Sequence, residues 1–288
     1  MVLARFVVIL YFLLIGFIQA NVLSITHIRP DGNADKRNAY FIDLLELALV
    51  KSQNSEGDFQ LIQSNLEMNQ SRALKNLEFK QNIDVVWTMT SIAREERLTP
   101  IRIPLLKGLL GYRIFIIKKE MQKIFSEVDS VADLQKLAAG QGASWPDTQI
   151  LKANGFNVVE ASEYRVLFNM LERERFDYFP RGVNEPWSEI RAHREKGLVI
   201  ESNLIIQYPA PIYFFVNKDN LELAERIERG LRIAIKDGSF EDFFRNHPAN
   251  REIFNLANIH NRRLFKLENP LLPEKTPINE PSLWYQGD

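Results

Sequence analysis

The sequence predicts an α/β fold built on a parallel sheet. Residues 22–25, 59–62 and 83–87 are short runs rich in β-branched and aromatic side chains, which is typical of strands. Two segments between these runs repeat apolar residues every three or four positions, as the buried face of a helix does. These apolar residues are Phe41, Leu44, Leu45, Ala48 and Leu49 in the first segment, and Ala73, Leu74 and Leu77 in the second. Strand, helix, strand, helix, strand is the order that builds a parallel sheet.

Composition and charge exclude several functional classes. The chain has 288 residues and is 45% hydrophobic, so it can bury one large core or two ordinary ones. Its formal net charge of −1 gives no electrostatic footprint for nucleic acid. It has four scattered His and no Cys, hence no zinc-ligand spacing and no thiol nucleophile. We therefore predict no metal, no cofactor and no nucleic-acid partner.

The first 20 residues have the form of a secretory signal peptide. Arg5 supplies the positive start, residues 6–18 are almost wholly apolar, and small residues end the segment before Asn21. The apolar run is short for a membrane span. We predict cleavage after Ala20 and a periplasmic location, with an uncleaved N-terminal anchor as the alternative.

Polar side chains follow the strand at residues 83–87. Thr88, Thr90 and Ser91 supply hydroxyl groups, and Arg94 comes within one helical turn of them. A second apolar run, residues 112–117, predicts the next strand. Ligands of open α/β sheets bind beyond the carboxyl ends of the strands, so this turn is the predicted binding site.

At these residues the chain resembles the type II periplasmic solute-binding proteins, in particular their amino-acid-binding branch. The resemblance is carried by Asp84-Val85-Val86 and by the turn from Thr90 to Arg94, which is one residue shorter than the usual form. It resumes at residues 211–218 and 236–244, so that it covers about residues 22–247. In that family the turn's arginine grips the ligand carboxylate, a role that the resemblance implies for Arg94.

The resemblance also implies the domain organisation. We expect a two-lobed type II fold that resembles the periplasmic binding proteins, with the ligand cleft between the lobes. Residues 21–111 and 212–269 would form lobe 1, and residues 112–211 would form lobe 2. Residues 270–288, rich in proline, would form an extended C-terminal tail. A monomer is expected.

The second lobe offers further candidate ligands. Ser144 and Trp145 lie in a glycine-rich loop before a predicted helix start, which is also consistent with an ordinary connecting loop. Where the family carries an Asp for the ligand ammonium, this sequence has Arg181 and Glu185. A solute with two anionic groups is therefore an alternative to an α-amino acid, because guanidinium groups bind carboxylates bidentately.

Each candidate also has a purely structural interpretation. Arg94 lies among other charged residues and fits an exposed helix start equally well. Trp87 and Tyr112 fit either a pocket wall or the core. Arg181 and Glu185 fit a surface ion pair of little energetic value.

The resemblance implies, as the expected function, non-catalytic capture of a small carboxylate-bearing solute, namely an amino acid, a short peptide or a related organic acid. Hinge closure would enclose the solute for delivery to an ABC transporter in the inner membrane. Two alternatives remain. One is a ligand-sensing module for a membrane receptor, and the other is an enzyme that resembles cyclohexadienyl dehydratases. The enzyme would need a general acid, for which only Glu185 or Asp147 is evident.

Overall fold

The computed structural model describes residues 22–30 and 37–287. The predicted signal peptide, residues 1–20, lies outside the described residues. Within the described ranges, no helix has both the length and the apolarity that a membrane crossing requires.

The first of two sheets has five strands in the order β2-β1-β3-β11-β4. β1 pairs in parallel with β2 and β3, whereas β11 runs antiparallel between β3 and β4. Every residue of β3 is buried, as its β-branched and aromatic composition predicts. The strands are β1 (Leu23–Pro30), β2 (Phe59–Met68), β3 (Val85–Met89), β4 (Leu98–Ile101) and β11 (Ile212–Asn217).

Helices cover this sheet. The longest two, α1 and α9, pack against each other at Gly230, where a Cβ atom would overlap the backbone carbonyl of Ala48. The helices of this half are α1 (Arg37–Glu56), α2 (Gln70–Glu78), α3 (Ile92–Arg97), α9 (Leu221–Lys236), α10 (Ser239–Asn246) and α11 (Arg251–Leu256). We call the first sheet with these helices lobe 1.

The second sheet has seven strands, six of them in the order β12-β10-β5-β8-β6-β7, with β9 also pairing with β5. The strands are β5 (Tyr112–Lys118), β6 (Ala138–Gly142), β7 (Asn157–Ala161), β8 (Tyr178–Gly182), β9 (Leu198–Ile200), β10 (Leu204–Gln207) and β12 (Arg263–Lys266). Its helices are α4 (Gln122–Ser126), α5 (Val131–Leu134), α6 (Pro146–Ala153), α7 (Tyr164–Glu172) and α8 (Pro186–Ala192). We call this sheet with its helices lobe 2.

Two of the connections between the lobes lie next to each other. The chain leaves lobe 1 after β4 and enters lobe 2 at β5, then returns through residues 208–211 between β10 and β11. At this crossing Tyr208 N donates to Gly111 O at 3.1 Å, and a Cβ atom at Gly111 would overlap Tyr208 O. The two connections therefore pack backbone against backbone, which is why glycine occupies position 111.

The C-terminal segment crosses between the lobes again. We expected residues 212–269 in lobe 1, but β12 pairs in parallel with β10 in the second sheet. The buried guanidinium of Arg262 fixes this position by donating to the carbonyls of Ala257, Glu201 and Leu204. The rest of the division into lobes at residues 111 and 212 stays a prediction.

The proline-rich tail then returns to lobe 1. Ile92 N donates to Leu271 O at 3.0 Å, and Tyr285 N donates to Lys107 O at 2.8 Å. Between these points the chain forms only a short 3-10 helix, Pro281–Leu283, in which Leu283 is buried. The Trp284 ring lies against Gly108, where a side chain would overlap it.

The contact between α1 and α9 gives a first prediction. Gly230→Ala should lower the free energy of unfolding by about 2 kcal/mol, because the overlap with Ala48 outweighs the gain in helix propensity. Urea unfolding measures the change. Glu225→Ala, at an exposed position of the same helix, is the control and should change stability by less than about 0.5 kcal/mol. A Gly230→Ala protein as stable as the wild type would contradict the packing described here.

The tail gives a second prediction. Trp284→Ala should destabilise the protein by about 2 kcal/mol, because its half-buried ring packs on Gly108 and its indole donates to Pro277 O at 2.8 Å. Ile278→Ala, in the same tail and 56% exposed, should change stability by less than about 0.5 kcal/mol. Thermal unfolding of the two variants separates these expectations. Equal melting temperatures of the Trp284→Ala and Ile278→Ala proteins would mean that the contacts of Trp284 contribute nothing to stability.

Candidate functional site

A cavity of about 280 Å³ lies between the two lobes. Lobe 1 lines it with residues at and just beyond the ends of β1, β2 and β3, including Asn69, Gln70, Trp87 and Thr88. Lobe 2 lines it with residues just beyond β6 and β7 and at the end of β8, including Ser144, Trp145, Arg181, Asn184 and Glu185. The carboxyl ends of parallel strands from both lobes therefore face one space, which is where α/β sheets bind ligands.

Arg94 lies behind the lobe 1 wall of this cavity. Ser91 caps α3 and thereby fixes the start of the helix that carries Arg94. The guanidinium donates from Nη1 to Thr88 Oγ1 and to Met89 O, both at 2.7 Å, and from Nη2 to Gln70 Oε1 at 2.6 Å. Thr88, Met89 and Gln70 all line the cavity, so one layer of side chains separates the charge from the cleft.

The partners of Arg94 are unusual because all three are neutral. Among the described residues, no carboxylate lies within ion-pair distance of its guanidinium, although Arg94 is only 6% exposed. Burial lowers the pKa of Arg94 to about 10, so the side chain is still a cation at neutral pH. A buried charge without a counterion is costly, and an anion that reached it would reduce that cost.

The arginines of lobe 2 are different, because carboxylates already neutralise them. Arg113 contacts Asp147 at 2.6 Å and Glu185 at 3.4 Å, and its guanidinium lies over the Tyr208 ring. Tyr208 donates its hydroxyl hydrogen to Asp147. Burial alone would lower the pKa of Arg113, but Asp147, Tyr208 and Glu185 outweigh it and raise that pKa.

Arg181 forms the second lobe 2 pair. It donates from Nε to Glu189 Oε2 at 2.9 Å and from Nη2 to Glu189 Oε1 at 2.7 Å, and Nη2 also contacts Glu185 at 2.8 Å. Its guanidinium lies 4.7 Å from the ring centre of Phe179 and 5.1 Å from that of Trp145. Burial would lower the pKa of Arg181, but Glu185 and Glu189 raise it above its ordinary value.

Two buried polar atoms on the lobe 2 wall have no hydrogen-bond partner among the described residues. These atoms are Asn184 Oδ1, an acceptor, and Arg113 Nε, a donor. Both side chains line the cavity. Buried polar atoms are nearly always bonded, so these two are candidate contacts for a solute.

Comparison of the sequence with protein-family models and with curated proteins gives no match. Solved structures do match. An ancestral arginine-binding protein bound to arginine is 18% identical with a TM-score of 0.56, and the alignment covers 77% of this chain and 96% of that one. A probable amino-acid ABC transporter extracellular-binding protein from Bacillus subtilis is 16% identical with a TM-score of 0.55. That alignment covers 77% of this chain and 96% of the Bacillus chain.

A histidine kinase sensor domain with similarity to periplasmic binding proteins gives 16% identity and a TM-score of 0.54, covering 78% of this chain and 94% of that one. The chain has the fold of the type II periplasmic binding proteins. The predicted α/β class and two-lobed architecture are thereby confirmed. The three neighbours are binding proteins and a sensor domain, and at these identities they establish the fold alone.

Within this fold, five of the nine predicted site residues line the cavity. Trp87 does so from lobe 1, stacked on Phe41 with ring centres 5.6 Å apart. The lobe 2 members are Ser144, Trp145, Arg181 and Glu185. Their roles in binding stay predictions.

The other four predicted residues do not line the cavity. Arg94 lies behind the wall, as described above, and Ser91 caps its helix. Thr90 donates its hydroxyl hydrogen to Glu95 at 2.7 Å. Tyr112 is half-buried at the start of β5, where its carbonyl accepts from Val183 N.

Sequence reasoning missed Gln70, Arg113 and Asn184 as members of the site. Arg113 carried a visible signal, because it is a charged residue inside the otherwise apolar run at residues 112–117. Gln70 carried none, since its contact with Arg94 spans 24 residues and involves no motif. Asp147 entered the prediction only as a candidate acid, and it is an ion-pair partner of Arg113.

The lobe 2 ion pairs give a third prediction. Glu189→Ala should destabilise the protein by about 3 kcal/mol, because it leaves the buried Arg181 without its bidentate partner. Lys136→Ala removes one member of a surface pair whose Lys side chain is 73% exposed, and should cost less than about 1 kcal/mol. Chemical unfolding of both variants gives the comparison. Losses of equal size would contradict the buried character of the Arg181 pair.

Proposed function

We propose that this chain is an extracytoplasmic receptor that captures a small carboxylate-bearing solute between its lobes and presents it for transport. The solute would be an amino acid, a short peptide or a related organic acid. Hinge closure would bring the lobe 2 wall over a solute that first contacts lobe 1. The observation that carries the proposal is the buried guanidinium of Arg94, which lies directly behind the lobe 1 wall of the cleft and donates hydrogen bonds to neutral partners only.

The electrostatics of the cleft favour one carboxylate in the solute rather than two. Behind the lobe 1 wall, Arg94 has no carboxylate within ion-pair distance among the described residues, whereas Arg113 and Arg181 already contact Asp147, Glu185 and Glu189. A second carboxylate at lobe 2 would meet these acidic groups. The unbonded Asn184 Oδ1 favours a hydrogen-bond donor in that half of the solute.

Sensing is a second candidate function. It is favoured by the likeness in fold to a histidine kinase sensor domain. The two functions are distinguished by measuring uptake of the solute in source cells that have this protein and in cells that lack it. A transport role predicts that uptake falls in its absence, whereas a sensing role predicts unchanged uptake.

A thermal-shift panel tests the proposed solute class. The panel contains L-amino acids, dipeptides, succinate, and the pair L-arginine and agmatine, which differ only in the carboxylate. We expect the members that raise Tm to be carboxylates, and agmatine to have no effect. Stabilisation by agmatine equal to that by L-arginine would argue against a carboxylate clamp.

Substitution of Arg94 is the fourth prediction. Arg94→Ala should weaken binding of every stabilising carboxylate about 100-fold, the cost of roughly 3 kcal/mol expected when a buried charge partner is removed. Isothermal titration calorimetry measures the dissociation constants. Arg97→Ala, on the same helix and with its side chain 48% exposed, is the control and should bind as the wild type does. Equal binding by both variants would remove Arg94 from the site.

A further inference from the structure

We propose that the Gln70 side chain is a built-in competitor for Arg94, which a solute carboxylate must displace in order to bind. This inference rests on the proposed function and deepens it. It makes Gln70 a determinant of both affinity and selectivity, although Gln70 belongs to no recognisable sequence motif. The observations that carry it are the position of Gln70 between Arg94 and the cavity and the hydrogen bond that joins the two side chains.

Gln70 separates the charge of Arg94 from the cavity. Gln70 lines the cavity and is half-exposed, while Arg94 behind it is 6% exposed and is not among the lining residues. Gln70 Oε1 accepts from Arg94 Nη2 at 2.6 Å. The Gln70 side chain therefore lies between Arg94 and the cavity, and its oxygen already accepts a hydrogen bond from Arg94 Nη2.

The helix that carries Gln70 does not need this side chain. Gln70 is the first residue of α2, and the preceding Asn69 supplies the cap by accepting from Arg72 N at 3.0 Å. Among the described residues, the contact with Arg94 is the hydrogen bond found for the Gln70 amide. The side chain can therefore rotate away without loss of a helix cap.

A carboxylate has the advantage in this exchange. The amide oxygen of Gln70 is neutral, whereas a carboxylate carries a full negative charge and can accept from Nη2 in its place. Displacement thus brings a negative charge within ion-pair distance of Arg94, where the described residues place none, although Asp147 acts on it from farther away. A neutral amide or alcohol gains no such advantage over Gln70, so the exchange selects for anionic solutes.

Competition by Gln70 lowers the apparent affinity of the site for a carboxylate. The effect grows with the fraction of time for which Gln70 occupies Arg94. When a site is free for only a fraction of the time, the apparent dissociation constant rises by the inverse of that fraction. Removal of the Gln70 side chain should therefore tighten carboxylate binding. Replacement by Glu should abolish it, because a covalently attached carboxylate would neutralise Arg94 permanently.

Formate is the probe for the test, because it is the smallest carboxylate and needs no knowledge of the natural solute. Sodium formate is titrated against sodium chloride at constant ionic strength, and binding is followed by NMR of the arginine side chains. Gln70→Ala should lower the apparent dissociation constant of formate about 3- to 10-fold. Gln70→Glu should raise it at least 100-fold, as should Arg94→Ala. Gln63→Ala, an exposed glutamine on β2, should leave it unchanged.

Acetamide, a neutral amide, is the second probe. It should bind no better to the Gln70→Glu protein than to the wild type, and its binding should show no dependence on Arg94. Crystals of the wild type soaked in formate should place the anion on Arg94 with Gln70 turned away.

The outcomes separate the two proposals. Formate binding that requires Arg94 but is the same in the wild type, Gln70→Ala and Gln70→Glu would overturn the role of Gln70 and leave the proposed function intact. No formate binding even in Gln70→Ala would overturn both the role of Gln70 and the role of Arg94 as the carboxylate clamp, because the uncovered guanidinium would then not accept a carboxylate. The thermal-shift panel decides the proposed function independently of either result.

Discussion

The buried positive charge of Arg94 is the constraint on which the chemistry of the cleft depends. The fold places this guanidinium behind Thr88 and Gln70, at the carboxyl end of β3, and gives it hydroxyl, carbonyl and amide oxygens as partners. Such partners accept hydrogen bonds from the guanidinium but do not neutralise its charge. Since the remaining cost of burial falls when an anion approaches, we propose that the site is matched to a carboxylate before any solute arrives. We infer that lobe 1 provides the first contact.

The two walls of the cleft therefore have different roles. The arginines of lobe 2 belong to buried networks with Asp147, Glu185 and Glu189, in which Tyr208 from the crossing between lobes also takes part. Beside these networks, Asn184 lines the cavity and its buried Oδ1 has no hydrogen-bond partner among the described residues. We therefore propose that one wall suits a negative group and the other suits hydrogen-bond donors. A solute that carries both at opposite ends can bridge the lobes and favour the closed form.

Much of the fold could be predicted from local sequence. The apolar runs at residues 83–87 and 112–117 correspond to β3 and β5 within two residues, and the apolar stripe from Phe41 to Leu49 lies in α1. The assignment of the C-terminal segment to a lobe could not be predicted from local sequence. The mostly exposed β12, expected in lobe 1, joins lobe 2 because Arg262 donates to carbonyls there. Arg94 was predicted through the turn that contains it, whereas the role of Gln70 follows only from a contact across 24 residues.

A structure of the protein with a stabilising carboxylate bound tests the central claim most directly. The account predicts that the solute's carboxylate lies within hydrogen-bond distance of the Arg94 guanidinium, with its other end against the lobe 2 wall near Asn184 and Glu185. A solute whose carboxylate is held by Arg113 or Arg181, with Arg94 still bonded to Thr88, Met89 and Gln70, would contradict it.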